Sequence, residues 1–341
     1  MRKLASIQRV LSVDPIPDAD AIEVASILGW KCVVKKGEFS VGDPCVYIEV
    51  DSLLPDIEQF EFMKPRGMRV RTVRLRGQVS QGLALPVYPL MSGFDGLLPE
   101  GTDVSDMLGI VKYEAPVPAQ LSGVAKGSFP GFLQKTDEDR IQSFPDILTK
   151  YSDTRCRMTE KLDGSSATYY LRDGEFGVCS RNLELERNSD NTFWRVAIEN
   201  DIEQKLRSLG KNIAIQGELI GEGVQGNKYK IKGHRVYFFN VFDIDAGKPL
   251  DVIPADDLID KMGLVSVPWL GDIERLGSHT VDTLIKKSDR PSVLGGLGVA
   301  EGIVIRSYGN VSETFVTGKT VDRGRLSFKV INPEFLIKHK E

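Results

Sequence analysis

The sequence predicts an α+β chain in two parts: a small all-β barrel, then a larger domain of antiparallel sheets and helices. Three observations carry this. Residues 1–110 hold short β-rich runs separated by Gly, Pro and Asp turns. Beyond residue 135, strand-like runs alternate with an amphipathic stretch at helical spacing. The length, 341 residues, suits two domains better than one core.

The expected domains are 1–111, a linker over 112–134, and 135–341. "LASIQRVLSVDPIP", "IEVASILGWKCVVKKGE", "DPCVYIEV" and "MRVRTVRLRG" are the barrel strands. "KYEAPVPAQLSGVAKGSFPGFLQ" is rich in Pro, Gly and small residues and reads as the linker. Thr136 with Asp139 resembles a capping box, which predicts a helix start. "SATYYLRDGEFGVCSR" predicts a strand, an Asp-Gly turn and a strand. "NTFWRVAIENDIEQKLRSLG" predicts one helix with a Gly stop. "RVYFFNVFDID" is a further strand.

Composition narrows the class. The net charge of −4 gives no global sign of a polyanion partner, so any basic surface must be local. Four cysteines (Cys32, Cys45, Cys156, Cys179) form no C-x-x-C pair, and the three histidines are scattered. Neither a zinc site nor a disulfide framework is expected, and reduced thiols suit a cytoplasmic location. The N-terminal residues lack an apolar core, and no stretch reaches 18 apolar residues, so neither secretion nor a membrane span is expected.

The chemistry-bearing residues begin with "TEKLDGSS". Lys161 is a nucleophile only when neutral, and burial or nearby cations would lower its pKa from about 10.4. Asp163 could orient the amine or a metal on a polyphosphate. Gly164, Ser165 and Ser166 would leave room for phosphate or ribose. Alone, this stretch fits a surface ion pair equally well. Arg181 ends the hairpin, where its planar fork suits a phosphate. Glu218 ends an apolar strand and could accept from ribose hydroxyls. Phe242 closes an aromatic strand, where its ring could stack on a base. Glu301 opens an apolar strand, where a carboxylate needs a metal, water or exposure. Lys329 sits within another apolar strand.

In this order, Lys161-x-Asp163-Gly164, Ser180-Arg181-Asn182, Gly217-Glu218, Phe242-Asp243, Glu301-Gly302-x-Val304 and Lys329 resemble the motifs of the covalent nucleotidyltransferases. "TEKLDGSS", "GELIGEGVQGNKY" and "VFDI" are most similar to nick-sealing RNA ligases. The first ninety residues resemble an OB-fold module, and such a module ahead of the catalytic domain resembles the Deinococcus-type RNA ligases. The resemblance implies an OB-like barrel followed by an adenylyltransferase (ATP-grasp-like) ligase domain. It implies ATP and Mg2+ or Mn2+, and a lysyl-AMP on Lys161. It further implies nucleotide contacts by Glu160, Arg181, Glu218, Phe242 and Lys329. Asp163 and Glu301 would hold the metal through water. DNA ligases and mRNA capping guanylyltransferases share this chemistry but carry a further C-terminal domain, and only twelve residues follow Lys329. A non-catalytic nucleic-acid-binding protein is the remaining alternative. One departure stands out: relatives often carry a second lysine two residues after the first, and Ile331 occupies that place.

Two basic stretches in an acidic chain predict phosphate contacts. Residues 64–77 carry Arg69, Arg71, Arg74 and Arg76 among six Lys/Arg and no acid. The other holds Lys228, Lys230 and Lys232, two apart and so on one face if extended. The expected partner is RNA, or an RNA/DNA duplex with a nick, bound by a monomer without membrane involvement.

Overall fold

The computed structural model describes residues 3–91, 98–114, 125–296, 298–311, 321–322 and 324–339. The chain divides into two units. The first comprises residues 1–115, 141–146 and 333–341, and the second residues 116–140 and 147–332. The second domain therefore does not run unbroken to the C-terminus. Its closing helix, Pro333–His339, belongs to the first unit, where Phe335 and Leu336 are buried.

In the first unit, Ala5–Arg9, Pro44–Ile48 and Leu83–Pro86 form one antiparallel sheet, and Ser12–Pro15, Ile22–Ile27 and Trp30–Lys35 another. Strand Pro44–Ile48 is buried on both faces. Cys45 and Tyr47 pack with Trp30, Ala25 and Ile27, while Val46 and Ile48 pack with Phe60, Met63 and Val70. A period of two sends alternate residues into two separate cores. The second core is capped by a 3-10 helix, Glu58–Arg66, ended by Gly67 at φ 65°.

The second unit holds two sheets. Seven strands run in the order Ala125–Ser128, Leu183–Leu185, Glu175–Cys179, Ser165–Arg172, Ile213–Gly221, His234–Asp243 and Lys248–Pro249. Five run Trp269–Ile273, Cys156–Lys161, Gly302–Ser307, Arg325–Ile331 and Val321–Asp322. One face of the larger sheet, with Ala167, Tyr169, Ile215 and Phe238, packs on helices Thr192–Glu199, Ile202–Arg207 and Val252–Lys261. Its other face carries Thr168, Gln216 and Glu218 in register. That face looks toward the smaller sheet: Arg306 Nη1 donates to the Phe239 carbonyl (3.1 Å), and Arg325 Nη1 donates to Asn240 Oδ1 (2.7 Å).

Three local expectations change. Within the expected linker, Ala125–Ser128 is an edge strand paired with Leu183–Leu185; residues 115–124 lie outside the described residues. No helix starts at Thr136. The Asp139 carbonyl instead accepts from Lys329 N (2.8 Å), so a tertiary partner satisfies the backbone there. The stretch 192–209 forms two helices, because Asp201 adopts φ 54° between them. The hairpin is as expected, with Asp173 at φ 51° and Gly174 at φ 82°.

Candidate active site

Strand Cys156–Lys161 ends the smaller sheet's contribution, and Leu162, Asp163 and Gly164 carry the chain across to Ser165–Arg172 of the larger one. This crossing fixes the site. Lys161 is in register with Gly302, so Glu301 sits at the adjacent strand mouth. Lys161 Nζ lies 2.7 Å from both Glu301 carboxylate oxygens. The pair is half-buried, which strengthens the interaction relative to a surface pair. Burial alone would lower the Lys161 pKa, but Glu301, then Glu218 and Asp163, raise it overall. The expectation that cations surround and deprotonate Lys161 is thus reversed: its immediate neighbours are carboxylates.

Asp163 is held from two sides. Its backbone N donates to Tyr229 Oη (2.7 Å), and its Oδ2 lies 2.6 Å from Lys228 Nζ. Glu218 accepts from Gly164 N (3.0 Å). Burial, then Glu301 and Asp163, push the Glu218 pKa up to about 8, with Lys161 opposing. Glu301 and Asp163 are paired with the Lys161 and Lys228 ammonium groups, and Glu218, at about 8, gains or loses its proton near neutral pH, so a cation arriving here would favour its charged form. All the acidic donors are hard oxygens. No cluster of three His, Cys, Asp or Glu side chains suits direct metal coordination among the described residues. This set fits Mg2+ or Mn2+ held through one or two carboxylates, with water and phosphate completing the shell.

Gly164 has a different reason for being small. A Cβ there would lie 2.3 Å from the Leu219 carbonyl, so the neighbouring strand, rather than space for a nucleotide, demands glycine. Glu160 also departs from expectation. Alternation turns it to the face opposite Lys161, where it accepts from Ser292 Oγ (2.5 Å) and Val293 N (2.8 Å). Its carboxylate anchors the 292–296 loop.

Lys329 is in register with Val304, which pairs with Thr159, two residues before Lys161. Lys329 and Lys161 therefore share a face. Ile331 is in register with Gly302, directly across from Lys161, and is buried. Arg140, which the sequence reading overlooked, forms a parallel bridge with Lys329.

Phe242 lies away from Glu218. Phe242 pairs with Ala214, four residues from Glu218 along the strand, or about 13 Å. It is buried against Leu133, Tyr170, Cys179 and Ala214. A bulge in strand His234–Asp243 matches Phe238 to Gly217 and Asn240 to Gln216, leaving Phe239 as the extra residue. Bulges re-aim side chains. Phe239 lines a cavity between the sheets with Thr159, Asn240 and Arg306, and the Arg306 guanidinium lies 5.3 Å from its ring centre. Nothing in "VYFFNVFDID" signals the bulge, so the sequence could not single out Phe239.

The remaining basic residues divide. Arg181 is exposed and pairs with Asp137 (2.7 Å) rather than with the Lys161 cluster. In the first unit, Arg69 pairs with Asp51 (2.8 Å) and stacks on Tyr113, and Arg74 pairs with Glu334. Arg71 and Arg76 are exposed. In the second, Lys230 and Lys232 are exposed, whereas Lys228 is turned inward to Asp163. The three lysines do not share one face, because Gln225–Asn227 is a 3-10 turn and Lys230 adopts φ 55°.

Residues 155–331 match the RNA ligase family model, and residues 4–87 match an OB-fold domain model. No curated protein matches the chain. Among solved structures, Naegleria gruberi RNA ligase with PPi is similar over 100% of this chain and 99% of its own, with TM-score 0.87 and 37% identity. A lysine-to-alanine mutant of that ligase with ATP and Mn gives TM-score 0.88 at 37% identity, covering 99% of each chain. A glutamate-to-alanine mutant with AMP and Mn gives the same values. A family match over more than half of the sequence, and a relative aligned along nearly all of it, place this chain in the RNA ligase family.

Proposed function

We propose that this RNA ligase uses ATP to seal 3′-OH/5′-phosphate breaks, chiefly nicks in duplexes with an RNA 3′-OH strand, in the manner of the Deinococcus-type enzymes. The observation that carries the reading is the half-buried Lys161 amine, 2.7 Å from both Glu301 oxygens and two residues from Asp163. Complexes of the Naegleria relative with ATP and Mn, and with AMP and Mn, support ATP and a divalent metal as its ligands.

Once deprotonated, Lys161 attacks the α-phosphorus of ATP. A P–N bond forms, the bond to the β-phosphate oxygen breaks, and pyrophosphate leaves with its electron pair. An RNA 5′-phosphate oxygen then displaces the lysine, giving an AMP-capped end. The 3′-hydroxyl attacks that end, loses its proton, and releases AMP. Bound Mg2+ or Mn2+ supplies charge neutralisation at the phosphoryl oxygens. Glu301 and Asp163 would hold it through water, where a divalent charge would offset the carboxylates that keep Lys161 protonated. Glu218 accepts from the ribose, and Lys329 faces the α-phosphate. Phe239, in place of Phe242, stacks on the adenine. Arg181, Arg71, Arg76, Lys230 and Lys232 are the exposed cations proposed to contact the RNA backbone. Buried, unpaired cysteines fit a reducing cytoplasm. No helix among the described residues is long and apolar enough to cross a membrane.

The test is incubation with α-labelled ATP or GTP and metal, followed by denaturation. A labelled protein with ATP, absent in Lys161→Ala, is expected. Labelling by GTP alone would indicate a capping guanylyltransferase, and no labelling would defeat the reading.

A further inference from the structure

Ile331 leaves no cation across Gly302 from Lys161. The structure offers one elsewhere. Lys228 Nζ lies 2.6 Å from Asp163 Oδ2, and both side chains are largely buried, at 16% and 10% exposure. A surface RNA contact would not be desolvated in this way. The lysine is also firmly placed. Asn227 ties its turn closed, with Nδ2 donating to the Ile231 carbonyl (2.9 Å) and Oδ1 accepting from Ile231 N (3.1 Å). Next to it, Tyr229 is buried and its hydroxyl accepts from Asp163 N. Lys228 and Tyr229 thus grip the carboxylate and the backbone of one residue, two positions from the nucleophile.

We propose that Lys228 is a further phosphate-binding residue of the nucleotidyl-transfer site, directed at the β- and γ-phosphates, and that it exchanges Asp163 for the triphosphate when metal binds. The proposal rests on the RNA ligase reading above. Asp163 would release Lys228 in favour of a divalent ion, whose charge is twice that of an ammonium. The lysine then turns on its flexible four-carbon stem to the nearest anion. With Lys161 at the α-phosphorus, that anion is the departing end of the triphosphate.

The test is calorimetric binding of pyrophosphate, with AMP as control, in MnCl2, to wild type, Lys228→Met and Lys228→Arg. Losing a charge-assisted hydrogen bond predicts about tenfold weaker pyrophosphate binding in Lys228→Met. AMP binding should change less than about twofold, and Lys228→Arg should retain most pyrophosphate affinity, because the fork still reaches phosphate. Unchanged pyrophosphate affinity in Lys228→Met, especially with tighter Mn2+ binding, would overturn the proposal and leave Lys228 a mere counter-ion. Equal losses for AMP and pyrophosphate would also overturn it, since that pattern means Lys228 only positions Asp163. Thermal melting of the variants checks folding, and Lys228→Gln, which also removes the charge and should likewise bind pyrophosphate about tenfold more weakly, carries the test if Lys228→Met is unfolded. Failure of wild type to label with ATP would sink the ligase reading, whereas the pyrophosphate comparison stands on its own.

Discussion

Phe239 and Phe242 of "VYFFNVFDID" allow a double dissociation. Phe239 lines the inter-sheet cavity beside Thr159 and Arg306, while Phe242 is sealed under Leu133 and Tyr170. Substituting leucine at either position keeps bulk and removes the ring. Stacking contributes about 1–3 kcal/mol per base, so Phe239→Leu should raise the ATP concentration for half-maximal Lys161 labelling at least about fivefold. Stability should move little, because this side chain is only half-buried. Phe242→Leu should leave ATP dependence unchanged and cost under about 1.5 kcal/mol, as near volume-conserving core swaps do. Phe242→Ala should cost about 3–5 kcal/mol by opening a cavity. The assays are labelling by α-labelled ATP across a concentration series and urea denaturation. If Phe242→Leu weakened ATP use while Phe239→Leu did not, the bulge-based assignment would be wrong.

Glu301→Gln should lower metal-dependent labelling by about tenfold or more, since it removes one of the charges that recruit the cation beside Lys161; a metal titration reads this. Glu218 is protonated more readily in the fold, at about 8, than when unfolded, so its ionisation penalises the fold increasingly as pH rises from about 4.5 to about 8. Glu218→Gln should therefore gain stability over wild type across that window in metal-free buffer; urea midpoints at pH 5, 6.5 and 8 showing a constant difference would refute it. Gly164→Ala should lower the melting temperature and labelling together, because its Cβ meets the Leu219 backbone; full stability would show that the strand gives way.

The sequence by itself determined the family resemblance. Lys161, Asp163, Glu218, Glu301 and Lys329 are polar residues in or beside apolar strands, and their types and order resemble the motifs of the covalent nucleotidyltransferases, which imply the lysine-dependent chemistry. It also determined the all-β start and the Asp173-Gly174 hairpin, since alternation and turn residues act locally. Only the tertiary structure decided the rest. Whether Glu160 faces the cleft depends on strand alternation counted from Lys161, and Phe239 is left as the extra strand residue by a bulge set by pairing with Gln216 and Gly217. Gly164 is demanded by a strand more than fifty residues away. Lys228, read as part of a basic surface, belongs to Asp163 because a turn at Gln225–Asn227 reverses its direction. Local residue types specify which reactions are possible, but side-chain direction and ion pairing are set by register and long-range contact, which no single segment encodes.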